Sequence, residues 1–258
     1  MRQIFLILLL LTFLLSSCKI PQNQTIGLNG RIIHIRTDPT YPPFETINPT
    51  TKQIEGFDID LAKAVCKLIN CVAEFKAETW ANLKVDIGSG HLTNYDMIMS
   101  GVSITAEREK TIDFSNPYIT FSLAIAVRKA NAPLTLADFK DNKQALTLGA
   151  LLSTTWADTA KEIVGKERVK TFDSFDDTVA ALLKSEVDGI MVDGLTVNDL
   201  IKKQQGKLVA NIRNLNPDPI GMVFETNDTL VESFNKGLDQ LKASNTYNQL
   251  IEKWFMAD

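Results

Sequence analysis

Histidine and cysteine are scarce in this chain, with two of the first and three of the second among 258 residues. A metal site needs several such ligands together, and neither His34 nor His91 stands near the pair Cys66 and Cys71. No metal ligation and no cofactor is therefore expected. His34 falls inside an apolar strand pattern and His91 in a loop, so both read as structural. Also missing are a Ser-His-Asp set and a paired-carboxylate motif, so no catalytic residue stands out. Basic runs are absent too, and with them the electrostatic footprint of a nucleic-acid binder. Repeats, heptads and low-complexity tracts do not occur. The longest stretch that is nearly all Leu, Ile and Phe, Ile4 to Leu15, is twelve residues, too short to span a bilayer as a helix.

That run has a use of its own. Met1-Arg2-Gln3 is a short basic start, and Leu15-Ser16-Ser17-Cys18 closes the segment, which suits an export signal over residues 1–17. The Leu-Ser-Ser-Cys ending resembles the lipobox of bacterial lipoproteins, in which the Cys becomes the lipid-modified first residue. The alternative is an ordinary secretory signal cut near Ser17. With Cys18 carrying lipid, residues 18–30 would be a polar, Pro- and Gly-containing linker holding the globular part in water near a membrane. Export would place the protein in the periplasm or at the cell surface. Cys66 and Cys71, five residues apart at the end of a helical pattern, would then form a disulfide.

Past the signal, 241 residues remain, enough for one large domain or two lobes with real cores. With Arg2 removed, 26 basic residues face 31 acidic ones, so the field mildly favours cationic solutes. Strand patterns at 31–36, 97–100, 123–128, 145–152, 189–192 and 222–224 alternate with helical ones, which predicts stacked α/β layers. The helical patterns include 59–70, opened by Asp58 as N-cap, and a short helix opened by the capping box Thr135-Leu-Ala-Asp138. Others begin near Thr155, after Ser174, at Leu195, at Asp228 and near Thr246, and residues 214–219 read as a turn-rich connection. The helical tail is too small to fold alone and is expected to return to the first block. The expected organisation is therefore one lobe over 31–121 and 223–258, and a second over 122–222, with the chain crossing twice between them.

In open α/β sheets, ligands bind beyond the carboxyl ends of the strands. Polar residues stand just past four strand patterns: Asp38; Gly101, Ser103 and Arg108; Ser153, Thr154 and Thr155; and Asp193. Each alone is an ordinary cap or turn residue. Together they supply a guanidinium and several hydroxyl and N–H donors for a carboxylate, plus two carboxylates for an ammonium. A guanidinium grips a carboxylate through two parallel hydrogen bonds, which the point charge of Lys does not match. A free α-amino acid carries both charges on one carbon. Among nearby aromatics, Phe44 and Phe57 read as core, while Tyr41 and Trp80 read as walls for the apolar part of a ligand.

The segments "RTDPTYPPFE", "IEGFDIDLAKAVCKLIN", "MIMSGVSITAERE", "LLSTTW" and "VDGIMVDG" resemble, in order, those of the bacterial extracellular solute-binding proteins of family 3. The likeness is greatest to the histidine and lysine/arginine/ornithine receptors, and it covers nearly all of 31–255. The resemblance implies a type II periplasmic binding protein fold, two α/β lobes around a two-crossover hinge, closing on a free L-amino acid and docking as a monomer on the permease of an ABC importer. It further implies that Arg108 holds the α-carboxylate with the backbone at Ser103 and with Thr154 or Thr155. Asp193 would take the α-ammonium, aided by the Gly101 carbonyl and the Ser103 hydroxyl. Tyr41 and Trp80 would line the side-chain pocket, Asp38 would meet the far end of a polar or basic side chain, and Cys66–Cys71 would match a short disulfide loop. Two residues depart from the pattern: Trp156 replaces a polar residue after the Thr pair, and Gly101 stands where some receptors have Ser.

An enzyme on the same scaffold is the competing reading. Cyclohexadienyl dehydratases resemble this family, and eliminating water from prephenate or arogenate needs a general acid in the cleft. A Glu one turn after the second-lobe Asp would supply it. Asp193 is followed instead by Gly194, Leu195 and Thr196, none of them an acid.

Overall fold

The computed structural model describes residues 27–256. The expected signal at 1–17, Cys18 and most of the 18–30 linker lie outside the described residues. The chain opens with β1 (Arg31–Thr37), whose Ile33 and Ile35 face inward on alternate positions while Ile32 and His34 face out. A small three-stranded sheet follows, made of β2 (Thr40–Tyr41), β3 (Glu45–Ile47) and β4 (Ile54–Glu55). Next come α1 (Phe57–Ile69), β5 (Cys71–Ala77), α2 (Trp80–Ser89), β6 (Met97–Ile98) and β7 (Ile112–Phe114).

The helix α1 starts two residues earlier than its pattern suggests, and Asp58 is not its cap. Gly56 holds that place at φ 146°, where a Cβ would lie 2.0 Å from the Phe44 carbonyl oxygen. Asp58 is instead turned inward and fully buried. At the other end the left-handed Asn70 stops the helix, and the Cys66–Cys71 disulfide ties its last turn to the first residue of β5.

The chain then enters β8 (Ile119–Arg128), followed by α3 (Leu136–Lys140), β9 (Leu148–Leu151), α4 (Thr155–Val164), β10 (Val169–Phe172) and α5 (Phe175–Leu183). β11 (Gly189–Asp193), α6 (Thr196–Lys203), β12 (Leu208–Ile212), β13 (Pro217–Ile220) and β14 (Val223–Glu225) come next. α7 (Leu230–Lys242), α8 (Asn245–Ile251) and a final π-helical turn (Glu252–Met256) end the described chain. Local capping accounts for several starts: Thr135 and Asp138 form the reciprocal capping box of α3, while Thr154 and Ser174 cap α4 and α5 through their hydroxyls.

Two sheets result. One runs β5-β1-β6-β14-β7, with β1 parallel to β5 and β6, and β14 antiparallel to its neighbours. The other runs β10-β9-β11-β8-β12. β14 thus carries the end of the chain back into the first sheet, and α7 and α8 cover α1: Tyr247 Oη donates to the Tyr118 carbonyl at 2.6 Å and Trp254 Nε1 to Asp60 at 2.9 Å. Residues 214–219, read as turn-rich, lead into and form most of β13 instead. Pro217 and Pro219 suit an edge strand, where a missing N–H costs little, and β13 runs antiparallel to the first half of β8. The two crossings between lobes are therefore one hydrogen-bonded pair of strands.

Candidate ligand-binding site

Beside that crossover, between the carboxyl ends of β1, β6, β9 and β11, lies a cavity of about 50 Å³. One water needs roughly 10–15 Å³. Asp38, Tyr41, Trp80, Gly101, Ser103, Arg108 and Thr154 all line it. Thr155 and Asp193 stand behind the wall. Residues not singled out from sequence also face the cavity, chief among them Glu45, Ser100 and Phe175, and so does Trp156, noted as a departure from the family pattern.

Arg108 opens a 3-10 turn after the β6 loop. Its Nη1 donates to the Ser103 carbonyl at 2.7 Å and its Nη2 to the Ser153 carbonyl of the opposite lobe at 3.2 Å. Its guanidinium carbon lies 5.8 Å from the Trp80 ring centre. Burial lowers its pKa, while Asp218 and Asp158 pull it back up; a guanidinium starting so high stays charged. Ser103 sits one loop turn below. Its hydroxyl donates to Asp218 Oδ2 at 3.0 Å, and the Thr155 hydroxyl donates to the same oxygen at 2.8 Å. The two hydroxyls also stand 3.2 Å apart, and when their protons point at Asp218 their oxygens keep lone pairs for a donor that approaches. Asp218, almost fully buried on β13 between its two prolines, was not singled out from sequence because its partners are over 60 residues away.

Gly101 is required by geometry. It has φ 56°, and a Cβ there would stand 2.8 Å from Tyr41 Cε1, so the glycine lets the Tyr41 ring lie flat on the loop. Tyr41 stacks on Phe44 at 5.1 Å and meets Trp156 and Phe175 of the other lobe edge-on, at 5.6 and 6.2 Å. Trp156 is thus part of an aromatic wall that spans both lobes. The Tyr41 hydroxyl donates across the cleft to Asp193 Oδ2. Trp80, first residue of α2, donates its indole N–H to the Leu152 carbonyl at 3.1 Å, again across the cleft.

Asp193 is fully buried and its carboxylate is busy. Oδ1 accepts the N–H groups of Leu195 and Thr196 at 2.8 and 2.7 Å, and Oδ2 accepts the hydroxyls of Thr196 and Tyr41. Burial raises its pKa and these donors lower it. The same burial, with Asp193 beside it, drives the Tyr41 phenol well above its ordinary value. Asp38 accepts from the Thr40 hydroxyl at 2.8 Å and the Trp80 N–H at 2.8 Å, and its own N–H donates to Ser100 Oγ at 2.9 Å.

Two lobes joined by a paired crossover, with an Arg, hydroxyls and carboxylates lining the cleft between them, define a two-lobed binding protein of the type II periplasmic fold. Residues 33–257 match the model of the bacterial extracellular solute-binding proteins, family 3, and the chain belongs to that family. It is 31% identical over 228 residues to the ABC transporter arginine-binding protein 1 of Escherichia coli (strain K12), covering 86% of this chain and 90% of that one. Among solved structures, an ancestral arginine-binding protein bound to arginine superposes with a TM-score of 0.78 at 29% identity, over 88% of this chain and 99% of the other. The ancestral amino acid-binding protein AncCDT-1, a precursor of cyclohexadienyl dehydratase, gives a TM-score of 0.73 at 30% identity, over 87% and 95%.

Proposed function

We propose that this protein captures a free amino acid, polar or basic, between its lobes and delivers it to the permease of an ABC importer. The observation that carries this reading is Arg108: it lines the cavity, is held at the cleft by carbonyls of both lobes, and spends only two of its five N–H donors on them among the described residues. The remaining donors suit an α-carboxylate, with the Thr154 cap at the start of α4 alongside. The lone pairs of Ser103 and the Gly101 carbonyl suit the α-ammonium. For Asp193 to receive that ammonium, the Tyr41 hydroxyl must give up its place on Oδ2, an exchange of one donor for another. Tyr41, Trp80 and Trp156 would enclose the aliphatic part, and Asp38 would face the far end.

Arginine-binding relatives support a basic ligand, as does the carboxylate-rich side of the cavity. A dehydratase lacks support at the position that matters, because Thr196, one turn after Asp193, gives its hydroxyl to that Asp. We further propose that the protein is exported and held at a membrane through lipid on Cys18, acting as a monomer. Replacing Cys18 with Ala should move the protein from the membrane fraction to the soluble one.

The reading of the site is tested by Arg108→Ala. Removing one partner of a buried charge pair costs about 2–5 kcal/mol, so amino-acid affinity should fall roughly 30-fold or more with the far-UV spectrum unchanged. Equal affinity in the variant would mean that the carboxylate binds elsewhere.

A further inference from the structure

Beneath Ser100 and Gly101 lie two carboxyl groups that the proposed binding chemistry does not use. Glu45 on β3 and Asp58 on α1 are both fully buried. One oxygen of each is satisfied: Glu45 Oε1 accepts from Ser100 Oγ at 2.8 Å, and Asp58 Oδ2 accepts the Gly101 N–H at 3.0 Å and the Tyr118 hydroxyl at 2.9 Å. The other two oxygens, Glu45 Oε2 and Asp58 Oδ1, have no partner in the protein. The two side chains are neighbours: the Asp58 N–H donates to the Phe44 carbonyl at 3.0 Å, and the two carboxyls are held by the adjacent residues Ser100 and Gly101. Two neighbouring buried carboxyls, each with an unpartnered oxygen, are satisfied by one proton between them, because two buried like charges cannot both persist.

The nearest groups add negative charge, and the one cation lining the same cavity, Arg108, forms no ion pair with them among the described residues. Asp38, on the turn after β1, joins Glu45 through the relay of its N–H to Ser100 Oγ. The remaining titratable groups facing the pair are the phenols of Tyr41 on β2 and Tyr118 before β8. No Lys, Arg or His forms an ion pair with Asp38, Glu45 or Asp58 among the described residues. Asp38 and Glu45 both line the cavity, and no metal-ligand grouping includes them.

We propose that Glu45 and Asp58 share one proton below the cleft floor, and that a ligand side chain ending in guanidinium or ammonium expels it to solvent, so that the pair selects a cationic amino acid over a neutral one. A neutral side chain brings no charge to stabilise the second carboxylate, and the proton stays. This deepens the amino-acid reading above and rests on it. Burial raises both carboxyls above their ordinary range, so the pair keeps a proton at a pH where free carboxyls have lost theirs.

The test is titration calorimetry of the intact protein with L-arginine and with L-glutamine at about pH 6.5, in buffers of different ionisation enthalpy. The slope of observed heat against buffer enthalpy counts protons released. Arginine should release between about half and one proton, and glutamine close to none. The arginine affinity should tighten as pH rises from 5.5 to 7.5, while the glutamine affinity stays level. Glu45→Gln should abolish the arginine slope and bring the two affinities together; Asp58→Asn, which keeps an acceptor for Gly101 and Tyr118, should abolish it too. Binding of arginine with no proton release overturns the inference and leaves the amino-acid reading standing. Failure of every amino acid to bind overturns both.

Discussion

At the scale of single residues, this cleft is built by commitments made elsewhere. Asp218 fixes which way the Ser103 and Thr155 hydroxyls point, and so turns two ambivalent groups into acceptors. Asp218→Ala should free those protons and weaken amino-acid binding by about tenfold, in keeping with the 1.5–3 kcal/mol of a hydrogen bond to a charged group partly recovered by water. Calorimetry on the variant checks this, and an unchanged constant would show that the hydroxyls need no such anchor. Gly101 is a second case. Gly101→Ala adds a left-handed backbone cost of about 1–2 kcal/mol and drives a methyl toward the Tyr41 ring, so it should lower both stability and affinity. Asp58 yields a prediction whose sign is opposite to that of most carboxylates. Its folded pKa is raised, so the folded state holds a proton that the unfolded chain has already lost. Stability of the ligand-free protein should be greatest near pH 4 and decline as pH rises through about 7. Asp58→Asn should flatten that decline in denaturant titrations at several pH values.

At the scale of elements, what could be read ahead was whatever is decided locally. The capping box at Thr135, the caps at Thr154 and Ser174, and the apolar faces that follow them depend on residues three or four positions away, and the helices start there. The groups past β1, β6 and β9 were legible because strand ends point at the cleft in this architecture. Non-local features were not. Asp58 has the residue type of a cap, but its true role is set by Gly101 and Tyr118, more than 40 residues away. β13 was hidden by two prolines that read as turn signals until β8 supplies the partner that makes them edge residues. Trp156 and Phe175 became wall residues only when the lobes met. The Cys66–Cys71 bond was legible from spacing and compartment, and it staples α1 to β5. A loop that short stabilises by about 2 kcal/mol on the chain-entropy model, so reduction should lower the unfolding midpoint by roughly 4–8 °C.

At the scale of the molecule, two α/β lobes touch around a small cavity and are joined by one antiparallel pair, β8 with β13. Polar contacts that cross the cleft include Tyr41 with Asp193, Trp80 with Leu152, Arg108 with Ser153, and Ser103 with Asp218, beside the edge-on contacts of Tyr41 with Trp156 and Phe175. Such contacts are weak enough to exchange with a ligand, whose preference for the closed arrangement then shifts the balance between lobes. The central claim is that this ligand is a free amino acid. The most direct test is thermal unfolding of the refolded protein against the twenty amino acids, ornithine, prephenate and arogenate. A ligand at a thousand times its dissociation constant adds about 4 kcal/mol, which at this size raises the midpoint by roughly 8–16 °C. The expected result is a shift of that order with arginine or another polar or basic amino acid. A shift with prephenate or arogenate alone, and none with any amino acid, would contradict the account.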